Sequence, residues 1–297
     1  MKLSLTTDPS INRRFVLLSP PAMPSVGPFS QAEVDPSKRQ ALLAEMQRFR
    51  GRVYLDDGVI SDKDLTADGR HCQSMDEESW HLLILSPQDN VLGCTRYLQH
   101  SASTSFNRLH VCDAALARSE EWSSPLRWSV ERELKNARER GFSYIEVGGW
   151  ALDESVRGSS DALRSVLFTY AWSHVIGGCL GLSTATHRNG SASILRRIGG
   201  RPLEWEGREL PAYYDPQFKC DMEVIRFDSH ISNPKYQYAI DQMRSQIPCM
   251  QVIGGGTPVH PWHAFVNRLR RPAPVSVPWH VFNPGLAAVG RHLDASL

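Results

Sequence analysis

The chain has 297 residues, with 33 lysines and arginines against 32 acidic residues and a formal net charge of +1. That balance creates no overall basic field, so nucleic-acid binding is not expected and any basic surface must be local. Hydrophobic residues at 41% and charged residues at 22% are ordinary for a globular protein, and no apolar run is long enough to cross a membrane. The six cysteines, Cys72, Cys94, Cys112, Cys179, Cys220 and Cys249, form no Cys-x-x-Cys pair and no zinc-type spacing with histidine. With no apolar leader core at the N-terminus, they read as reduced thiols of a cytoplasmic protein, and no metal is expected.

In chain order, residues 1–30 read as an irregular arm, Pro-rich over "LLSPPAMPSVGPFS". Asp35-Pro36 opens a helix that places Leu42, Leu43, Met46 and Phe49 on one face, with Gly51 loosening its end. The next 28 residues, from Arg52 to Ser79, are polar and acidic, long for a plain connection and suited to face a substrate. "WHLLILSP" and "NVLGCTRYLQH" read as a hairpin around a short turn. A helix starts at Ser124-Pro125 and stops at Gly141. It is followed by a strand through Glu146, a turn, and a helix ended by Gly177-Gly178. "CLGLSTAT" is a further strand, "NGSASILRRIGG" a short helix, and "RPLEWEGRELPAYY" with "KCDMEVIRFD" a closing hairpin. "PKYQYAIDQMRSQI" is a late helix, and residues 248–297 read as a Pro-rich extension. The order predicts an α/β chain: a mixed, mostly antiparallel sheet with helices on both faces over 31–247.

The informative stretch is "EVGGWALDESVRGSSDALRSVL". A strand breaks at Gly148-Gly149 and leads through a basic turn into a helix, the arrangement that presents helix N–H groups to a phosphate. It resembles the donor-binding motif of the GNAT acyltransferase superfamily, Gln/Arg-x-x-Gly-x-Gly/Ala, over roughly residues 40–228. Gly158 matches the first glycine, Ser155 replaces the Gln/Arg and Ser160 replaces the second glycine. Within the superfamily the chain is similar to the acyl-homoserine-lactone and N-acyl amino acid synthases. Arg50-Gly-Arg-Val-Tyr54, Asp68-Gly69-Arg70-His71 with Asp76, Gly93-Cys94-Thr95-Arg96 and Glu146-Val-Gly-Gly149-Trp-Ala-Leu152 carry that likeness in order. Two positions depart from it: Gly149 stands where the family has a strand arginine, and Gln73 where it has a loop aspartate. These departures argue against a lactone synthase and leave N-acyl transfer to another amine, such as an amino acid.

The resemblance implies an acyl-thioester donor, from an acyl carrier protein by preference or from coenzyme A, with no tightly bound cofactor. It implies Glu146 as base, against a strand glutamate merely paired with an arginine, and the backbone of Val147 and Gly148 as an oxyanion site, against an ordinary bulge. Trp150, Leu152, Arg157, Gly158, Ser159, Ser160 and Asn189 would hold the donor, with Ser159 or Ser160 equally a plain helix cap. Arg50, Asp76 and Arg96, and more weakly Asp68, would orient the acceptor. Arg132, Lys135, Arg138 and Arg140 are interleaved with glutamates and read as a solvated helix face. "HPWH" at 260–263 and Tyr213-Tyr214 read as packing residues. Two other functions fit the same residues: a coenzyme A-dependent acetyltransferase, and a degenerate, non-catalytic binding domain. No Ser-His-Asp or Gly-x-Ser-x-Gly spacing supports hydrolysis.

Overall fold

In the computed structural model, which describes residues 13–21 and 29–255, the chain begins with β1 (Arg14–Leu18), β2 (Gln31–Val34) and α1 (Pro36–Asp56). The hairpin strands β3 (Trp80–Leu85) and β4 (Val91–His100) lead to α2 (Ser123–Arg140), β5 (Ser143–Leu152), α3 (Ser160–Val175), β6 (Cys179–Thr186) and α4 (Ser191–Ile198). Four short strands follow, β7 (Arg201–Pro202), β8 (Glu204–Trp205), β9 (Arg208–Glu209) and β10 (Tyr213–Asp215). The chain continues through β11 (Cys220–Asp228), α5 (Gln237–Gln246) and β12 (Gln251–Gly254). One ten-stranded sheet runs in the order β10, β11, β6, β5, β4, β3, β1, β12, β2, with β7 added beside β11. The pairs β5–β6, β1–β12 and β12–β2 are parallel, and the rest are antiparallel. The mixed, mostly antiparallel α/β sheet is as expected.

Residues opposite one another on neighbouring strands share a face. Arg96 lies opposite both His81 and Gly148, and Leu98 lies opposite Glu146. On that face α1 packs Leu43, Met46 and Phe49 against Leu83, Cys94 and Ala151. Beside it α2 packs Leu126, Val130 and Leu134 against Tyr144, Leu180 and Leu182. The other face belongs to α3: Trp172 meets Trp80 edge-on at 5.2 Å, and Phe168 lies 5.7 Å from Tyr97. The end of α1 and the start of α2 therefore flank the same central strands that carry Arg96 and Glu146.

The structure corrects several boundaries. Arg14–Leu18, expected in an irregular arm, is a strand with four buried positions between β3 and β12. β12 in turn lies within the stretch expected as an extension. Gly51 does not end α1. A Cβ there would meet Leu65 Cδ2 at 3.0 Å and the Gly69 carbonyl oxygen at 3.1 Å, so the missing side chain lets the acidic loop lie against the helix. The closing hairpin is broken: β8 and β9 form their own two-stranded sheet, and only β7 and β10 join β11. Tyr213 is buried, but Tyr214 is exposed, because alternate strand residues face opposite ways. Residues 101–122, which show no hydrophobic period, fold into three 3-10 turns that bury Phe106, Leu109, Val111 and Leu116 against α2. The "HPWH" segment lies outside the described residues.

Gly181 marks the tightest approach in the sheet, since a Cβ there would collide with the Ile145 carbonyl oxygen and the Phe227 ring. Gly181→Ala is expected to destabilise the fold by about 2–3 kcal/mol through overpacking, read as a lower denaturant midpoint.

Candidate active site

β5 and β6 pair from Ser143 and Cys179 to Glu146 and Leu182, and then part. β5 continues to Leu152 along β4 alone, with a bulge at Gly149 and Trp150, since Cys94 pairs Ala151 while Arg96 pairs Gly148. Gly149 adopts φ +60°, which favours glycine. The buried Cys94 thiol, pushed up to about 11 by burial, donates to the Gly149 carbonyl and fixes the bulge. Val147, Gly148, Gly149 and Trp150 are all half-buried, so this strand edge is open at mid-sheet.

Next to the bulge is a buried ionic cluster. The Arg50 guanidinium, fully buried, donates to both Asp76 carboxylate oxygens at 2.9 and 2.6 Å and to the His71 carbonyl at 2.6 Å. The amide of Gln47 and the backbone N–H of Gln73 add bonds to Asp76 at 3.0 Å each. Burial pushes the Asp76 carboxyl up, but the Arg50 hydrogen bonds and charge overcome it and hold the group well below the usual range. Arg96 reaches Asp76 only at 3.5 Å and otherwise bonds the neutral side chain of Gln73. His81 donates through Nε2 to the Asp76 carbonyl at 2.7 Å, and burial pushes its ring down to about 4, so it stays neutral. His71 is also pushed down, by burial and then by Arg50. Two guanidiniums thus face one carboxylate, and the Nε atoms of Arg50 and Arg96 have no hydrogen-bond partner among the described residues. The ring of Tyr54 lies 5.5 Å from that of His71, and burial raises its hydroxyl to about 12.

Gln73 and Gly149 both touch Arg96. Gln73 is its side-chain partner, and a Cβ at Gly149 would lie 3.4 Å from Arg96 Cβ and from an Arg50 nitrogen. Asp68 is not part of this cluster: it is exposed and paired with Arg48, Arg70 and Thr66.

Glu146 shares the face of Arg96, but its carboxylate is fully engaged. It accepts from the backbone N–H groups of His110 and Val111 at 2.8 and 3.0 Å and contacts His100 Nε2 at 2.8 Å. Burial raises its pKa, and these bonds outweigh that and lower it. These contacts tie the 3-10 turns to β5 through Glu146, so the residue expected as base, directly or through water, is already hydrogen-bonded at both carboxylate oxygens. The sequence hid these contacts because both amides come from a segment without periodicity.

After β5, Ser159 caps α3, its hydroxyl accepting from Asp161 and Ala162 N–H groups. The amides of Ser155, Val156, Arg157 and Ser159 are used within the turn. Those of Gly158 and Ser160 have no protein acceptor among the described residues. Arg157 bonds the Leu152 carbonyl and lies 3.7 Å from Asp57, while Asn189 donates to the same Asp57 carboxylate at 3.1 Å. Trp150 is turned to α3, donating to Ser165 Oγ at 3.1 Å, and Leu152 pairs with Gly93. Arg13, outside the expected site, staples the turn from below. It donates to the Ser155 carbonyl at 3.0 Å and lies 3.5 Å from Asp161, which also binds Arg164 at 2.8 Å. The i, i+3 spacing of Asp161 and Arg164 is a sequence signal for half of this triad; Arg13 carries none. On α2, Lys135 pairs with Glu139, Arg140 with Asp228, and Arg132 covers Trp128.

Among the described residues no His, Cys, Asp and Glu group could hold a metal ion, and no helix is long and apolar enough to cross a membrane.

Removing the carboxylate in Asp76→Asn leaves Arg50 buried against a neutral amide and is expected to cost about 3–5 kcal/mol in denaturant unfolding. His81 generates a separate pH dependence. It remains neutral when folded down to about 4, whereas the unfolded ring takes a proton near 6.5. Between those values the unfolded chain binds more protons, so stability is full above pH 6.5 and falls as pH drops towards 4. The loss is expected to reach roughly 1–3 kcal/mol, and His81→Gln should flatten that part of the unfolding profile.

No family model matches the sequence, and no curated protein does. Among solved structures, the chain is similar to the acyl-homoserine-lactone (AHL) synthase LasI at 16% identity and a TM-score of 0.42, covering 68% of this chain and 88% of that one. The coenzyme A-dependent acyl-homoserine lactone synthase BjaI, with SAM and isopentyl-CoA, matches at 12% identity and 0.49, covering 86% and 98%. FeeM, an N-acyl amino acid synthase from uncultured soil microbes, matches at 11% and 0.42, covering 67% and 88%. Each is a distant likeness in fold, and the reading of the site rests on its own geometry.

Proposed function

We propose that the chain is an N-acyltransferase. It would move an acyl group from a phosphopantetheine thioester, on a carrier protein or coenzyme A, to the amine of a small molecule that also bears a carboxylate, such as an amino acid. The observation that carries this reading is the open edge of β5 beside a buried cluster with one guanidinium in excess. The opened backbone suits a thioester arm, which is uncharged and amide-rich and can lie along a strand edge as another strand would. The excess positive charge suits the acceptor's carboxylate, with Arg96 as its ligand and Arg50 held by Asp76. In the reaction the amine attacks the thioester carbonyl, a C–N bond forms and the C–S bond breaks. The ammonium proton leaves to water, and the thiolate takes one up. Backbone groups at Val147 and Gly148 would polarise the carbonyl oxygen. Glu146 supports the site by anchoring the neighbouring turns.

On the donor side, the two unused amides of Gly158 and Ser160 suit one phosphate better than a diphosphate, which favours a carrier-protein arm over coenzyme A. Mass spectrometry of lipid extracts from overproducing cells is expected to show a new N-acyl product with a free carboxylate. Purified protein should use acyl carrier protein in preference to the matched acyl-coenzyme A. Arg96→Gln should raise the acceptor KM by about tenfold or more while leaving the donor KM unchanged. Absence of transfer from both donors would sink the reading.

A further inference from the structure

Asp57 stands at the end of α1 next to Asp56, at the negative end of the helix dipole, with no basic residue in the last turn to balance them. Two acids are locally disfavoured there. Their compensation comes from two turns distant in sequence. Arg157, in the turn between β5 and α3, faces one carboxylate oxygen of Asp57 at 3.7 Å, and Asn189, in the turn between β6 and α4, donates to the other at 3.1 Å. Arg188 donates to the Asp57 carbonyl at 2.6 Å. The carboxylate thus sits on two side chains assigned to donor phosphate, beside the turn whose Gly158 and Ser160 amides are unused.

We infer that Asp57 is a specificity-determining residue of the donor site, its carboxylate occupying the anion position between Arg157 and Asn189 until the donor's phosphate displaces it. This rests on the donor site proposed above. The contact to Arg157 is loose and the arginine is half-exposed, so it is weak and exchangeable. A phosphate offers more oxygens to the same donors and can add bonds to the amides that a carboxylate on α1 leaves unused. Asp57 therefore weakens donor binding. Each additional phosphate meets the same negative end of α1, which discriminates against the more highly charged donor.

The test is isothermal titration of coenzyme A and of holo acyl carrier protein into the wild-type chain, Asp57→Asn and Asp57→Ser. Asparagine keeps the shape and an oxygen for Asn189; serine removes the carboxylate altogether, so one variant stands in should the other fold poorly. Both are expected to bind either donor about fivefold more tightly than wild type, with the larger gain for coenzyme A. Wild-type binding with unchanged or weaker affinity in the folded variants overturns the role of Asp57 and leaves the donor site standing. Binding of neither probe by any of the three proteins overturns the donor site, and this role with it.

Discussion

A guanidinium with no exposed surface is the constraint around which the site is arranged. Arg50 projects from the last third of α1 onto the central strands, where water cannot solvate it. Such a charge is tolerable only with a carboxylate in bidentate geometry and with that carboxylate's remaining lone pairs satisfied. Asp76 provides the first, and Gln47 and the Gln73 amide provide the second. The cost of leaving either partner alone ties the acidic loop to α1, and the His71 carbonyl binds the loop at a second point. Gly51 completes the arrangement by letting that loop lie directly on the helix. The polar, acidic segment expected to face a substrate is in this way fixed against α1 beside the bulge.

The second organising feature is the parting of β5 and β6. Once their pairing stops after Glu146, the two following turns diverge, and each delivers a helix start to the same side of the opening. The bulge at Gly149 turns the strand at that point, and Cys94 holds it there. Charge and opening are thus neighbours because Arg96 lies opposite Gly148 across the ladder.

Much of this was legible in the sequence. Helix periodicity located α1, Ser124-Pro125 and Gly141 bounded α2, Gly177-Gly178 marked the end of α3, and the hairpin of β3 and β4 was set by its short turn. Arg50, Asp76 and Arg96 were chosen from the family resemblance, and they converge in one buried cluster. What escaped has physical reasons. Arg14–Leu18 looks like part of a Pro-rich arm, because a strand buried in the middle of a sheet needs only a few apolar residues and shows no alternation. The anchoring of Glu146 depends on backbone amides, which carry no sequence identity. Asp57 and Arg13 find their partners a hundred or more residues away, and nothing local distinguishes them from ordinary surface charges. Glu146 lies on the strand as expected, and its burial, which raises a carboxyl pKa, is outweighed by three bonds whose donors the sequence does not reveal.

Positions 73 and 149 have an electrostatic consequence. Gln73 bonds Arg96 and Gly149 lies against it, and neither carries a charge. An arginine at 149 would press a third guanidinium against Arg50 and Arg96 and demand a left-handed backbone that favours glycine. An aspartate at 73 would bring a second carboxylate to the two guanidiniums and remove their excess charge. The surplus of positive charge beside the bulge is therefore set by two uncharged positions rather than by an added cation.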